Sequence, residues 1–177
     1  IDWQADPSTN AYTWHVAKTG VDTNGGTSLS NAVLTIGQAV TNAASGDTIL
    51  IWPGDYEENV VLTGKTLHLK GMSREVSKMV PATGAGIVMD DYCSLYNLHV
   101  EALQETSAGI AVDCAGTNGI NIDRCNIYGA YDGVRCSSSA DNAMITNSLL
   151  RGKYDALNIS GGNNGKSLVR NCTLWGD

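Results

Sequence analysis

Apolar and polar residues alternate in short runs along the second half of the chain, and the runs recur at a fixed step. Gly86-Ile87-Val88-Met89-Asp90 is echoed by Gly109-Ile110-Ala111-Val112-Asp113, by Gly133-Val134-Arg135-Cys136-Ser137 and by Ala156-Leu157-Asn158-Ile159-Ser160, at steps of 23, 24 and 23 residues. A second series keeps the same beat, with Leu95 to Val100, Ile122 to Ile127, Ile145 to Leu150 and Val169 to Leu174. Such a period means stacked units, none of which buries its apolar face alone. The runs are too short for helices, and Gly, Asn, Ser and Asp between them favour tight turns. Leucine-rich repeats would hold Leu at fixed positions. Here the core positions vary among Ile, Val, Leu, Met, Cys and Ser. The pattern predicts one coil of a parallel β-helix per repeat, with three short strands joined by turns.

Period-2 alternation sorts each strand into columns. Ile87 and Met89, Ile110 and Val112, Val134 and Cys136, Leu157 and Ile159 are expected to face inward. One outward column is then Val88, Ala111, Arg135 and Asn158, and the other is Asp90, Asp113, Ser137 and Ser160. In the last strand of each coil Leu98, Val100, Cys125, Ile127, Ser148, Leu150, Cys172 and Leu174 point in. Asn97, Asn147 and Asn171 share one turn position, which Arg124 occupies once.

The first part of the chain reads differently. Residues 1 to 13 show no pattern and are taken as an arm. Tyr12 to Val16 alternates and predicts a first strand. Ile36, Ala39, Val40 and Ala43 form the stripe of a short amphipathic helix over about 34–44. An open coil end exposes unpaired backbone and apolar core, so this helix is assigned as an N-terminal cap. Coils then fill about 47–177. Residues 72 to 85 interrupt the beat as a polar loop of the kind that borders a solenoid's binding face. The first residue is Ile1, which suggests a processed product or a fragment. Trp175-Gly176-Asp177 finishes on a repeat strand, which suggests truncation or a homo-oligomer formed through the open C-terminal coil.

The entry strand and cap carry a resemblance. His15 to Asp22, Asn24 to Thr27, the helix ending at Ala44, Gly46-Asp47-Thr48, Pro53-Gly54, Tyr56, Lys65-Thr66-Leu67 and Lys70-Gly71, followed by the Asn-Cys/Ser coils, resemble the opening of the pectin-lyase-like right-handed β-helix superfamily. That group includes pectate lyases, polygalacturonases, phage tailspikes and surface adhesins. The resemblance implies an all-β, single-stranded, right-handed parallel β-helix with a capping α-helix. It also implies an asparagine ladder at Asn97, Asn147 and Asn171.

Composition adjusts this picture. The net charge is -7 and the pI about 4.8, which argues against nucleic acid as a partner because phosphate binding needs clustered Lys or Arg. No apolar run approaches a membrane span. The five cysteines, Cys93, Cys114, Cys125, Cys136 and Cys172, have no C-x-x-C pair and no zinc spacing. The repeat permits a disulfide between Cys93 and Cys114. His15, His68 and His99 lie on different coils without a triad context.

Asp90 and Asp113 carry the sharpest chemical expectation. Stacked on adjacent coils about 4.8 Å apart, two carboxylates repel by roughly 3.5 kcal/mol at an effective dielectric near 20, and a calcium ion would relieve this. Arg135 falls diagonal to Asp113. In the superfamily's pectate lyases a similar arrangement supports β-elimination, so the resemblance implies Asp90 and Asp113 as calcium ligands, with Asp113 and Arg135 catalytic. A solvated strand face with ordinary charges is the alternative. Tyr131 and Tyr154 offer a stacking platform for sugar, with Asn158 beside them, or else cover the turn while Asp132 and Asp155 close Asx turns. Tyr128, Arg151 and Trp175 share a further outward column with Glu101. The expected function is binding or processing of an acidic polysaccharide at the cell surface or outside it. The alternative is a non-catalytic shaft of a virion-associated tail or an adhesin.

Overall fold

The computed structural model describes residues 11–114, 116–137, 142–160 and 167–176. Residues 1–10 of the arm expected at 1–13, and the side chains of Ser137 and Ser160, lie outside the described residues, while Thr13 already belongs to the first strand. Three parallel sheets wrap one core, and each strand pairs with its counterpart in the coils before and after it. The first sheet has seven strands, from Thr13–Val16 and Thr48–Ile51 to Leu168–Arg170. The second has six, from Gly54–Tyr56 to Thr173–Gly176. The third has five: Val60–Val61, Ile87–Val88, Val112–Asp113, Asp132–Ser137 and Asp155–Ser160. The chain is therefore a β-solenoid with a short capping helix.

Alternation creates the core. Ile49, Leu69, Leu95, Ile122 and Ile145 stack inward from the first sheet, Tyr56, Met79, Val100, Ile127 and Leu150 from the second, and Val60, Ile87, Val112 and Val134 from the third. Each fully buried aliphatic side chain contributes about 1.5–3 kcal/mol. Inward Ser77 and Ser148 are tolerated because their hydroxyls donate to the carbonyls of Ile51 at 2.9 Å and Thr146 at 2.7 Å. The expected inward residues are buried through Leu150, but Ile159 and Leu174 of the last coil are exposed. No further coil stacks on them among the described residues.

The turn between the first and second sheets repeats one left-handed residue per coil: Asn97, Arg124, Asn147 and Asn171, at φ 53, 53, 51 and 51°. Asn enters this region more readily than other L residues, which explains the column. The asparagine ladder is partial. Asn171 Nδ2 donates to Asn147 Oδ1 at 3.3 Å, but Asn147 Nδ2 donates to Asp123 at 2.7 Å because Arg124 stands where the next amide would be.

Two expectations change. Residues 72–85 are not wholly a loop: Ser77–Met79 is a strand of the second sheet, with Ser77 and Met79 buried, so only its flanks bulge outward. An inward serine hid the alternation there. In the third sheet, Val112 pairs with Ile87 and Val134, and Asp113 pairs with Val88 and Arg135. The expected pairing of Ile87 with Ile110 is therefore off by two residues. The segment between Ala102 and Val112 is longer than its counterparts before Asp132 and Asp155, and it carries Ile110 and Ala111 into the corner before the strand begins. Asp90 consequently does not stack on Asp113.

The cap is the helix Ile36–Asn42, shorter than expected, with Ile36 and Ala39 buried over the first coil. Both its ends are answered by charge, as the helix dipole favours. Glu58 accepts from the Ile36 and Gly37 amides at 3.1 and 2.9 Å, and Lys65 donates to the carbonyls of Val40 and Thr41 at 2.7 and 3.0 Å. Buried Asp47 ties the entry strand to this cap. It accepts from the Tyr12 amide at 2.7 Å, the Trp14 indole at 2.8 Å and the Ala44 amide at 2.9 Å. Trp14 rests on Gly26, where φ is +67° and a β-carbon would sit 2.6 Å from the ring. Asp47→Ala strands three donors, and it is expected to lower unfolding free energy by about 3 kcal/mol in urea titration monitored by tryptophan fluorescence.

Candidate functional site

The outward column of the third sheet runs Val61, Val88, Asp113, Arg135, Asn158 in successive coils. Direct pairing of the Val112–Asp113 and Asp132–Ser137 strands sets Arg135 beside Asp113, not diagonal to it. The guanidinium donates through Nε to Oδ1 at 3.2 Å and through Nη2 to Oδ2 at 2.5 Å, a two-point contact. The two side chains remain 33 % and 16 % exposed, so the pair lies at the surface and meets solvent. The hydrogen bond to Asp113 pushes the Arg135 pKa upward, outweighing the opposing effect of burial. Arg135 is thus fixed in its charged form.

Asp132 adds a second carboxyl that sequence reading left in a turn. It is 2 % exposed, its Oδ2 accepts from Asn158 Nδ2 at 3.3 Å, and its Oδ1 has no partner. Burial raises its pKa most; the Asn158 bond lowers it, the Asp155 charge raises it, and the Arg135 charge lowers it by less. Tyr-Asp recurs at Tyr131-Asp132 and Tyr154-Asp155, which was the available signal. Periodicity could not say that the first Asp is enclosed. Tyr131 and Tyr154 stack with ring centroids 4.4 Å apart, tilted by 35°, on the corner just before these strands. Tyr154 is exposed. Asp113, Arg135, Asn158 and the tyrosine pair therefore border one stretch of the solenoid.

Asp90 lies elsewhere. Its Oδ2 accepts from the Gly64 amide and its Oδ1 from the Asp91 amide at 2.7 Å. Asp113 faces Arg135, so the paired carboxylates expected to suit calcium are not assembled. The described residues hold no group of three or more His, Cys, Asp or Glu placed for a metal ion. The donor set does not fit the expected calcium site.

Behind the pair, Cys114 Sγ approaches Cys136 Sγ at 2.9 Å inside the core, with both as free thiols. Its contact with Cys136 and its burial push the Cys114 thiol well up. The partner expected for Cys114 was Cys93, but Cys93 instead donates to the Lys65 carbonyl at 3.2 Å in another corner. On the first sheet, His68 Nδ1 meets Ser94 Oγ at 2.8 Å, a contact across coils that linear spacing concealed. Burial lowers the His68 pKa, and Ser94 is itself buried, so its hydroxyl is not presented to a substrate. On the second sheet Arg151 stands 5.2 Å from the Tyr128 ring and 6.0 Å from the Trp175 ring, in the column that includes Glu101. No helix among the described residues is long and apolar enough to cross a membrane.

No family model matches the chain. A stretch of 60 residues is 42 % identical to Pectinesterase A of Dickeya dadantii (strain 3937), covering 32 % of this chain and 16 % of that protein. Among solved structures, a pectin methylesterase in complex with a hexasaccharide superposes with a TM-score of 0.71 at 20 % identity, over 93 % of this chain and 55 % of the other. Pectate lyase Pel9A gives 0.70 at 14 % identity, over 93 % and 48 %. The pectin methylesterase from Aspergillus niger gives 0.69 at 17 % identity, over 96 % and 58 %. The chain spans about half the length of these structures. Stacked parallel sheets, the helical cap and these superpositions agree: the chain shares the parallel β-helix fold of these solved structures.

Proposed function

We propose that the chain acts on an acidic polysaccharide of the pectin type, on the outward face of the third sheet, by hydrolysing a sugar ester. The observation that carries this reading is the Asp113–Arg135 pair, a carboxylate and a fixed cation side by side on an accessible strand face. The pectin-active proteins that share the fold supply the substrate class. The reading brings with it a location outside the cell or at its surface, where such polymers occur.

The pair favours one of two reactions. β-Elimination needs a base to remove a carbon-bound proton, and Arg135 is unsuited to that role because Asp113 holds it protonated. Ester hydrolysis needs the opposite assignment. Asp113 takes a proton from water, whose oxygen attacks the ester carbonyl carbon. The displaced electron pair moves to the carbonyl oxygen, beside the Arg135 guanidinium. Collapse expels the alcohol, which takes the proton held by Asp113, and the carboxylic acid left on the sugar releases its remaining proton to solvent to become a carboxylate. Asn158 and the exposed edge of the tyrosine pair offer hydroxyl contacts and a stacking surface for the neighbouring sugar units. Asp132 lies beneath, too buried to touch substrate. It acts as a positioning residue through Asn158.

Asp113→Asn keeps the shape of the side chain and removes the base. Methanol release from methyl-esterified polygalacturonate is expected to fall about 100-fold or more relative to wild type, with no unsaturated product from either protein. Unchanged release in the variant would overturn the assignment. A rise in ultraviolet absorbance from unsaturated sugar would restore elimination.

Asp132 makes a separate prediction. Its folded pKa is raised, so between the unfolded and folded values the native state holds more proton than the unfolded chain, and stability falls as pH rises through that window. Asp132→Asn removes the buried charge. It is expected to stabilise the protein at neutral pH by about 1 kcal/mol. The gain should vanish below the ordinary carboxylate range, as read from urea unfolding at a series of pH values.

A further inference from the structure

Arg124 is out of place. The left-handed turn between the first and second sheets is filled by Asn97, Asn147 and Asn171 in the other coils, and Asn tolerates that conformation. Arg124 holds the same φ of 53° without the short amide that makes it easy. A strained residue of this kind persists where its side chain is used. Its guanidinium is 57 % exposed and held in place. Nη1 donates to the Tyr96 hydroxyl at 2.6 Å, Nε lies 3.6 Å from Asp123, and the group sits 5.4 Å from the centre of the Tyr96 ring.

The side chain borders a cleft of about 450 Å³ lined by Ser73, Arg74, Glu75, Asn97, Arg124 and Asn147. The bulge that follows Gly71 brings Arg74 over three coils, where its Nη1 donates to the Asn147 carbonyl at 3.2 Å. Arg74 is also 40 % exposed and lies 3.5 Å from Glu75. Lys70 lies 5.6 Å from the centre of the Tyr96 ring, and Arg170 follows Thr146 in the column that Tyr96 shares with Asp123 and Thr146. Two cations, Arg74 and Arg124, thus border the cleft with one carboxylate, Glu75, on a chain whose net charge is -7. Asp123 is already committed to Thr146 and Asn147 at 2.7 Å each.

We propose that this corner is a second saccharide site, on a different side of the solenoid from the Asp113–Arg135 face. It takes the carboxylate of a uronic-acid unit between Arg74 and Arg124. Guanidinium groups bind a planar carboxylate through paired N–H donors, and both are pre-oriented by contacts that leave much of their surface in solvent. The Asn97 amide and the Ser73 hydroxyl line the same cleft with groups suited to sugar hydroxyls, beside Asn147, whose own amide is engaged by Asp123 and Asn171. The site involves no bond making. It retains the anionic polymer while ester units pass over the third sheet. The inference rests on the proposed acidic polysaccharide for the class of its ligand.

The test is titration of unesterified oligogalacturonide, by calorimetry and by backbone amide shifts, against wild type, Arg124→Asn, Arg74→Ala and Arg135→Leu. Arg124→Asn restores the residue used by the neighbouring coils, so it is expected to fold at least as well as wild type. In wild type, the shifts are expected to include Asn97, Arg124 and Asn147. Arg124→Asn and Arg74→Ala should each weaken that set at least about tenfold, while methanol release at saturating ester substrate stays at the wild-type level. Arg135→Leu should leave it intact. Wild-type shifts confined to the third sheet, an unchanged affinity in both corner variants, or the absence of binding overturns the second site. Methanol release reports separately on the third-sheet reading, so failure of one is distinguishable from failure of the other.

Discussion

Parallel strands about 4.8 Å apart hydrogen-bond residue to residue up the solenoid axis, and that ladder decides which side chains meet. Residues more than twenty positions apart become nearest neighbours, and a shift of two along one strand exchanges every outward partner while leaving inward and outward unchanged. Asp113 shows the consequence. In the pairing suggested by motif identity it would oppose Asp90 and share a cation. In the actual register it opposes Arg135 and makes a two-point ion pair. The same register sets Cys114 beside Cys136. The chemistry of the surface is therefore a property of the register as much as of the residues.

Much of the fold was legible because a β-helix is repetitive. The step between Val134 and Leu157, the inward columns and the Asn turns all follow from period-2 alternation carried at a fixed length, and they agree with the buried columns of the three sheets. What escaped sequence reading was set by turn length. The longer passage from Ala102 to Val112 moved the strand start by two positions, and repeat identity alone carries no information about that. Ser77 hid a strand because an inward hydroxyl reads as polar until its acceptor, the Ile51 carbonyl, is known. The enclosure of Asp132 and the meeting of His68 with Ser94 depend on neighbours from other coils, which a linear pattern does not display.

The electrostatics divide the molecule by task. At the cap, Glu58, Lys65 and Asp47 satisfy backbone groups that a solenoid end would otherwise strand. On the third sheet, Arg135 and Asp113 neutralise one another yet remain accessible, which suits a reaction that develops negative charge on a carbonyl oxygen and ends in an anion. An isolated surface ion pair adds little to stability. Under the proposed ester hydrolysis, its two-point geometry serves to orient the two side chains rather than to fasten the coils.

The proposed hydrolysis places the polysaccharide ester on the third-sheet face, at Asp113 and Arg135. The most direct measurement is a crystal structure of the Asp113→Asn protein soaked with a partly methyl-esterified oligogalacturonide. The account requires sugar density across the third sheet, with an ester carbonyl oxygen within hydrogen-bond reach of Arg135 and the ring of a neighbouring unit near Tyr131 and Tyr154. A saccharide bound only away from this face, with Arg135 left bare at full occupancy of the ligand, would contradict it.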